Sequence, residues 1–584
     1  MQDRFKIRKL VLLLAFVAVA LNCGAADRTV RLKVVQTSDI HGSYFPQDVR
    51  TGVETAGSLA RVHALVQKER ETYGENLILL ENGDILQGQP TAYYYNYMDT
   101  VAPHLTAEIM NYMGYDAATV GNHDVETGRR VMDRWAGQCR CAMLGANILD
   151  DATGEPHFKP YTIIRREGVK IAVLGMITPA IPVWLNENLW RGLRFEDMEQ
   201  TARRWVEVIR RREKPDLLIG LFHAGVKPFT MMDRYRENAS IEVARRVPGF
   251  DIVLAGHDHQ PLRTQVCNVE GDSVLVMNPG AQGTQVADIE VELTLRKHRV
   301  VAKRIQGKLS RSSDYGISQP FMQRFDPQLQ TLRGFVSKTI GTLDQTISTR
   351  DAFFGPSAFI DLIHSLQLAI TGAEISLTAP LLCDVTIPQG NLTVGDMFNL
   401  YVFENLLYTM RLTGREVRQM LEMSYDQWTQ QMMSPDDHLL YFRPEAERQG
   451  KQGCDLLENY FFNFDSAAGI RYTVDVSKPA GERVQIACMA DGTPFDEQRE
   501  YRVAVNSYRG NGGGEFLTKG AGIPKAEIPS RIIFSTDRDM RYYLMQYIER
   551  QGHISPRPLN QWEFVPREWA VPAVRRDHRL MYND

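Results

Sequence analysis

No CxxC pair, low-complexity stretch, internal repeat or block of like charge interrupts these 584 residues. Without CxxC spacing the thiolate zinc sites are excluded, and zinc-finger and ribbon architectures with them. A net charge of −4 favours neither a nucleic-acid polymer nor an anionic membrane surface as partner. The N-terminal apolar run, Leu10 to Leu21, is shorter than the ~18–20 residues that a transmembrane helix needs. What is present is ordinary for a soluble globular protein: 43% apolar and 24% charged residues. The chain is too long for one hydrophobic core, so two domains are the natural expectation and three are allowed.

The N-terminus departs from this average. Arg4, Lys6, Arg8 and Lys9 precede the apolar run, and Gly24, Ala25 and Ala26 follow it. A basic region, a short apolar region and an Ala-type cleavage site predict a signal peptide over 1–26 and a periplasmic or secreted bacterial product starting at Asp27. Cys23 lies just past the apolar run, where acylation would give a lipid anchor instead, but Ala20-Leu21-Asn22 is a poor match to the residues that precede such a cysteine. Seven cysteines occur, and export permits disulfides whose pairing the sequence does not reveal.

From Val30 to about Val300, short apolar runs ending in Gly, Asn, Asp or His alternate with helix-period segments, which is α/β organisation. Strands are expected at 31–37, 77–81, 117–120, 171–176, 217–222, 252–255 and 273–277. A polar, helix-prone stretch begins near Arg311. The expected division is a catalytic domain over 27–310, a linking helix over 311–340, a second α/β domain over 341–547, and a Pro- and Arg-rich tail over 548–584 that wraps the surface or frays.

Asp39, His41, Asp84, Asn122, His223, His257 and His259 all follow predicted strands. Loops at the carboxyl ends of strands are where α/β proteins gather ligands, so residues far apart in sequence can meet there. The set is carboxylate, imidazole and one amide, with no cysteine near it. Zn, Mn, Co, Fe or Mg ions suit such donors better than Cu(I). Seven donors exceed one tetrahedral site. Two divalent ions, with Asp84 between them, would suit an in-line displacement at phosphorus and would acidify a water there. Any single Asp-x-His or Gly-Asp run is an ordinary turn. Their conjunction is not, because five of the chain's 13 histidines fall in these runs. His123 shares its tight loop with Asn122 and is free to stabilise the phosphoryl oxygens or to protonate the leaving oxygen, with Glu126 placed to orient the ring and raise its pKa.

The runs Ser38-Asp39-Ile40-His41-Gly42, Asn82-Gly83-Asp84, Gly121-Asn122-His123-Asp124, Phe222-His223-Ala224-Gly225 and Gly256-His257-Asp258-His259 resemble the metallophosphoesterase motifs of the 5′-nucleotidase superfamily. The resemblance spans roughly Val30 to Tyr547. It implies a catalytic β-sandwich flanked by helices, followed by a C-terminal α/β nucleotidase domain, with the site between the two and domain closure over it. It also implies roles. Asp39, His41, Asp84 and His259 would hold one ion, and Asp84, Asn122, His223 and His257 the other. His123 would be the catalytic histidine. Glu126 stands where the family commonly has Asp, with one more methylene. Phe403 and Tyr508 match the rings that clamp the base, with Arg509 beside them. Leu400-Tyr401-Val402-Phe403 alone reads as core.

Within the superfamily, Gln87-Gly88-Gln89-Pro90, Leu377-Thr378-Ala379-Pro380 and Asn506-Ser507-Tyr508-Arg509-Gly510 look like bacterial 2′,3′-cyclic-nucleotide 2′-phosphodiesterase/3′-nucleotidases. The 5′-nucleotidases usually carry an Arg-ending loop at Thr378-Ala379-Pro380 and tend to have Asp at Gly514. A 5′-nucleotidase or UDP-sugar hydrolase is the alternative. A non-catalytic nucleotide- or metal-binding surface protein is the reading from another class, and a degenerate module of that kind should have lost ligands, which this chain has not.

Overall fold

The computed structural model describes residues 27–227, 231–232 and 235–583, so the signal-peptide and Cys23 expectations lie outside the described residues. Strands β1 (Arg28–Thr37), β2 (Leu77–Glu81), β3 (Ala117–Thr119) and β4 (Ala142–Leu144) run parallel. Strands β5 (Tyr161–Arg166), β6 (Val169–Ile177), β7 (Leu217–His223), β8 (Ile252–Leu254), β9 (Leu262–Cys267) and β10 (Ser273–Asn278) form a second sheet in the order β9-β10-β8-β7-β6-β5. The hairpin β11 (Gln285–Arg296) and β12 (Arg299–Arg311) returns to the first sheet, whose order is β12-β11-β1-β2-β3-β4.

The two sheets face each other, and their alternation explains the layers. Leu32, Val34 and Leu80 of the first sheet pack against Ile171, Val173, Ile219 and Leu254 of the second. The intervening residues point outward. Val35 and Leu79 meet helix α1 (Leu59–Tyr73), and Leu174 and Leu218 meet α2 (Met198–Arg212). Strict period-two patterning with both faces covered is what a helix-flanked sandwich requires.

Helix α3 (Gln319–Ser337) occupies the expected linker but is no free spacer. Phe321, Phe325, Leu329 and Leu332 bury against the catalytic core. Beyond it lies a five-stranded sheet in the order β15-β13-β16-β14-β17, made of β13 (Ile375–Thr378), β14 (Leu407–Thr413), β15 (Ser466–Ala468), β16 (Glu500–Asn506) and β17 (Ile532–Ser535).

The tail departs from expectation. Residues Trp562–Val565 add a parallel strand beside Ile470–Asp475, and the helix Arg567–Tyr582 follows. The carboxylate of Asp577 in that helix is buried and accepts the backbone N–H groups of Leu439 and Leu440 at 2.7 and 2.9 Å. Buried donors need such an acceptor, so this segment is part of the second domain rather than a fringe. A disulfide, Cys383–Cys454, closes a 71-residue separation in the same domain. Among the described residues no helix is long and apolar enough to cross a membrane.

Candidate metal centre and active-site cavity

Every expected ligand stands at the carboxyl end of a parallel strand. Asp39 and His41 follow β1, Asp84 follows β2, and Asn122 follows β3. His223 ends β7, and His257 and His259 follow β8. The two sheets are tied at this edge, where Gln36 Nε2 donates to Ala255 O (3.0 Å) and Asn82 Nδ2 to Phe222 O (3.0 Å).

The local backbone is strained for this purpose. Asp39, His41, Asp84, His257 and His259 all have φ between 50° and 74°. Non-glycine residues rarely adopt this region, and strained residues of this kind gather at functional sites. The neighbouring glycines permit close approach. A Cβ on Gly121 would lie 2.1 Å from Asp84 Oδ1, and one on Gly256 would lie 2.2 Å from Ser38 Oγ.

The ligand atoms fall into two groups, Asp39, His41 and His259 in one and Asp84, His223 and His257 in the other. His259 Nε2 is 3.0 Å from His41 Nε2 and 3.3 Å from Asp39 Oδ1. His223 Nε2 is 3.1 Å from Asp84 Oδ2 and 3.2 Å from Asn122 Oδ1, and His257 Nδ1 is 2.8 Å from that same amide oxygen. Asp84 Oδ2 faces His223, while its Oδ1 accepts from the His123 backbone N–H at 2.8 Å.

The hydrogen bonds test whether cations fit. His41 Nδ1 and His223 Nδ1 donate to the carbonyls of Gln87 (3.1 Å) and Asn82 (2.7 Å), and His257 Nε2 donates to Glu237 (2.9 Å). In the neutral rings their other nitrogens present lone pairs. In the second group the lone pairs of His223 Nε2 and His257 Nδ1 face the acceptor oxygens of Asn122 and Asp84. Acceptors converging on acceptors repel unless positive charge lies among them: burial opposes a charged His223 ring, but Asp84 and Asp39 outweigh it and push its pKa to about 9, so a proton stands where a divalent ion would fit. Burial pushes His41 down to about 4, which keeps it neutral as a ligand should be. Burial would raise the Asp39 and Asp84 carboxyls, but the neighbouring imidazoles outweigh it and hold both low.

His123 Nδ1 is 2.5 Å from Glu126 Oε2, and its backbone N–H donates to Asp84 Oδ1 at 2.8 Å. Burial opposes the charged ring, but Asp84 and Glu126 outweigh it and push its pKa to about 10. Cations would cancel the Asp84 share and leave that of Glu126.

Beside this edge opens a cavity of about 430 Å³ lined from both domains. Asn122, His123, Glu126, Glu237, His257 and Trp184 form one side; Leu381, Phe403, Asn405, Phe462 and Tyr508 form the other. Phe403 is 38% exposed here, so its ring belongs to the cavity wall and not to the core. Phe462 stands edge-on to Tyr508, with ring centroids 6.5 Å apart.

Arg509 does not reach the cavity. Its guanidinium is buried and pairs with both oxygens of Asp465 at 2.8 and 3.1 Å, with Gly513 O at 2.7 Å, and lies over Phe516. With its donors spent there, it holds the loop that carries Tyr508 instead of meeting a ligand.

Sequence reasoning missed Trp184, Phe462, Glu237 and two aspartates. Asp258, between two ligands, accepts the N–H groups of Val226 (2.8 Å) and Lys227 (3.0 Å). Asp124 accepts four backbone N–H groups that join the Asp84 and Asn122 loops. Both stand inside motif runs, which was the available signal.

Residues 32–261 match the family model of calcineurin-like phosphoesterases, and residues 339–519 match that of the 5′-nucleotidase C-terminal domain. Together the two matches cover more than half of the chain. This chain is a metallophosphoesterase of the 5′-nucleotidase family. The enzyme uses two divalent metal ions, and the two ligand groups above are where they fit.

It is 24% identical to the 2′,3′-cyclic-nucleotide 2′-phosphodiesterase/3′-nucleotidase of Yersinia enterocolitica, over 96% of this chain and 92% of that one. It is 26% identical to the trifunctional nucleotide phosphoesterase protein YfkN of Bacillus subtilis, over 93% of this chain but only 39% of the longer relative. In fold it is similar to the 5′-nucleotidase precursor of Thermus thermophilus, with a TM-score of 0.60 at 22% identity, covering 92% and 100% of the two chains.

Proposed function

We propose that the enzyme hydrolyses nucleoside 2′,3′-cyclic phosphates and nucleoside 3′-monophosphates, and does so outside the cytoplasm. The observation that carries this reading is the cavity shared by the domains, with phosphoryl-handling residues on one wall and aromatic rings on the other. Each base offers a π-face, and stacking gives about 1–3 kcal/mol per base with little preference among bases. Phe403, Tyr508 and Phe462 are suited to that task.

When bound, the two cations supply charge neutralisation at the phosphoryl oxygens and a more acidic water at phosphorus. The protein's own residues do the rest. Asp39, Asp84, Asn122 and the four ligand histidines fix the reacting face. Glu126 takes the Nδ1–H of His123 and so aims Nε2 at the cavity. From Nε2 a proton passes to the leaving ribose oxygen as its bond to phosphorus breaks and the bond from water forms.

The preference for 3′- and cyclic phosphates draws on the near-full-length relatives of that name. Gly514 supports it too. A Cβ there would lie 2.3 Å from Arg509 Nη1 and 2.6 Å from Asn463 Oδ1, and φ is +68°, so the Asp common in 5′-nucleotidases would displace both side-chain ends and strain the backbone. Export draws on the N-terminal composition and on the Cys383–Cys454 disulfide, which belongs in an oxidising compartment. The test is a panel of 2′,3′-cyclic AMP, 3′-AMP, 5′-AMP and UDP-glucose with added Mn²⁺, Zn²⁺ or Mg²⁺. Higher kcat/KM on the first two is expected. A strong preference for 5′-AMP or UDP-glucose would overturn the assignment.

A further inference from the structure

We infer that Glu237 is a positioning residue that sets the tautomer and aim of His257, and through them the affinity of the second ligand group for its divalent cation. The inference rests on the reading of His257 as a ligand.

Two contacts fix which nitrogen faces the ion. His257 Nδ1 lies 2.8 Å from Asn122 Oδ1, the oxygen that also lies 3.2 Å from His223 Nε2. Nδ1 therefore points into the group and Nε2 points away. Glu237 Oε1 meets Nε2 at 2.9 Å, and an ionised carboxylate can only accept. In the neutral ring that a metal ligand must be, the proton then sits on Nε2, which leaves the Nδ1 lone pair for the cation. His41 and His223 use backbone carbonyls for the same purpose. A carboxylate partner makes the imidazole a stronger donor than a neutral carbonyl does.

The chain around Glu237 is tied to the catalytic domain. Glu237 lies between β7 and the helix Ser240–Arg246, whose connecting segment starts at Val226 and Lys227, both bonded to Asp258. Next to it, Arg236 donates to Glu199 on α2 at 3.2 Å. On the other side of the ring, Trp184 stacks against His257 with centroids 5.5 Å apart and planes 30° apart. The Trp184 carbonyl accepts from Asn511 of the second domain at 2.7 Å. His257 is thus oriented by a carboxylate at its edge and an indole at its face, and the backbone that carries the indole is tethered to the second domain.

The experiment is a Mn²⁺ titration of the metal-free full chain, followed by electron paramagnetic resonance, for wild type, Glu237→Gln, Glu237→Ala and His257→Ala. Wild type should bind two ions in two resolved steps. His257→Ala should abolish one step. Glu237→Ala should weaken that same step by about 10–100-fold and leave the other within about twofold, as outer partners of metal ligands typically do. Glu237→Gln keeps an acceptor oxygen but not the charge, so it should fall between the two. Excess Mn²⁺ should restore both Glu237 variants. If both steps keep wild-type affinity in Glu237→Ala while His257→Ala loses one, the role of Glu237 is refuted. Equal weakening of both steps would refute it as well, since that marks general collapse. If His257→Ala keeps both steps, the ligand reading fails first.

Discussion

Replacing Asp124 by Asn removes one charge and one acceptor from a side chain that touches no ligand atom directly. Its two oxygens serve four backbone N–H groups: Asp84 (2.9 Å) and Gly121 (2.8 Å) on Oδ2, Ile85 (3.0 Å) and Leu86 (2.9 Å) on Oδ1. The group is fully buried. An asparagine offers one oxygen, so two of the four donors would face an NH₂ whichever way the amide turns. Each buried donor left without an acceptor costs about 1–3 kcal/mol, giving about 2–6 kcal/mol in all. Either orientation strips at least one bond from the 84–86 loop, so the damage falls on the backbone that presents Asp84. Hydrogen exchange resolved by peptide is the assay, because a chain of several domains need not unfold in two states. Faster exchange in peptides covering 80–90 and 117–126 is expected, with the second domain unchanged and the Mn²⁺ content reduced. Exchange within about 0.5 kcal/mol of wild type in both peptides, with full metal content, would refute the idea that this carboxylate holds the two ligand loops together.

His123→Ala should reduce turnover about 10²–10⁴-fold and leave the metal content of the purified protein unchanged; unaltered turnover would remove His123 from the chemistry. His104 and His364 are buried, and burial pushes each down to about 3 from an unfolded value of 6.5. Below pH 6.5 the unfolded chain takes protons that the folded chain refuses, so stability is full above 6.5 and falls as the pH drops toward 3. Each histidine should contribute a slope of about 1.4 kcal/mol per pH unit to the acid limb, and His364→Gln should flatten denaturation midpoints measured from pH 6.5 to 4.5 by that amount. Reducing Cys383–Cys454 frees a loop of 71 residues. Loop entropy alone puts the loss at about 4 kcal/mol. The double Ser variant should therefore unfold earlier in denaturant, and an unchanged midpoint would contradict this.

The ligand set was legible because its signal is local. An apolar strand that stops at Asp, Asn or His shows both the element and its end, as at Leu217–His223, where all seven residues are buried. What was not legible depends on distant partners. The edge strand Arg299–Arg311 carries so many exposed charged residues that it hides its pairing with Gln285–Arg296. The tail's role is invisible without Leu439 and Leu440, which lie more than a hundred residues earlier. Arg509 follows Tyr508 directly, yet one side chain lines the cavity and the other lies beneath it. Sequence adjacency cannot distinguish those orientations. Glu237 has no motif at all, because its meaning comes only from the nitrogen it meets.

The interface that makes the cavity is the least legible part, and it begins close to the site. Just past the Asp84 loop, the helix Pro90–Tyr93 and the turn through Met98 send two tyrosines into the second domain. The Tyr93 ring joins that domain's core, and its hydroxyl donates to Asp539 at 3.1 Å. Tyr97 donates to Glu404 at 3.1 Å. The buried Arg541 guanidinium lies 4.8 Å from the Tyr93 ring and 4.4 Å from Phe398, and 2.9 Å from Glu404. Removing one member of such a buried charge cluster costs about 3–5 kcal/mol, because the others are left uncompensated. A closing motion of the kind the family resemblance implies would have to turn about this cluster or expose its charges to water. The stretch that carries Tyr93 and Tyr97 is continuous with the one that carries Asp84. This contact between the domains is thus anchored within a few residues of the metal ligands.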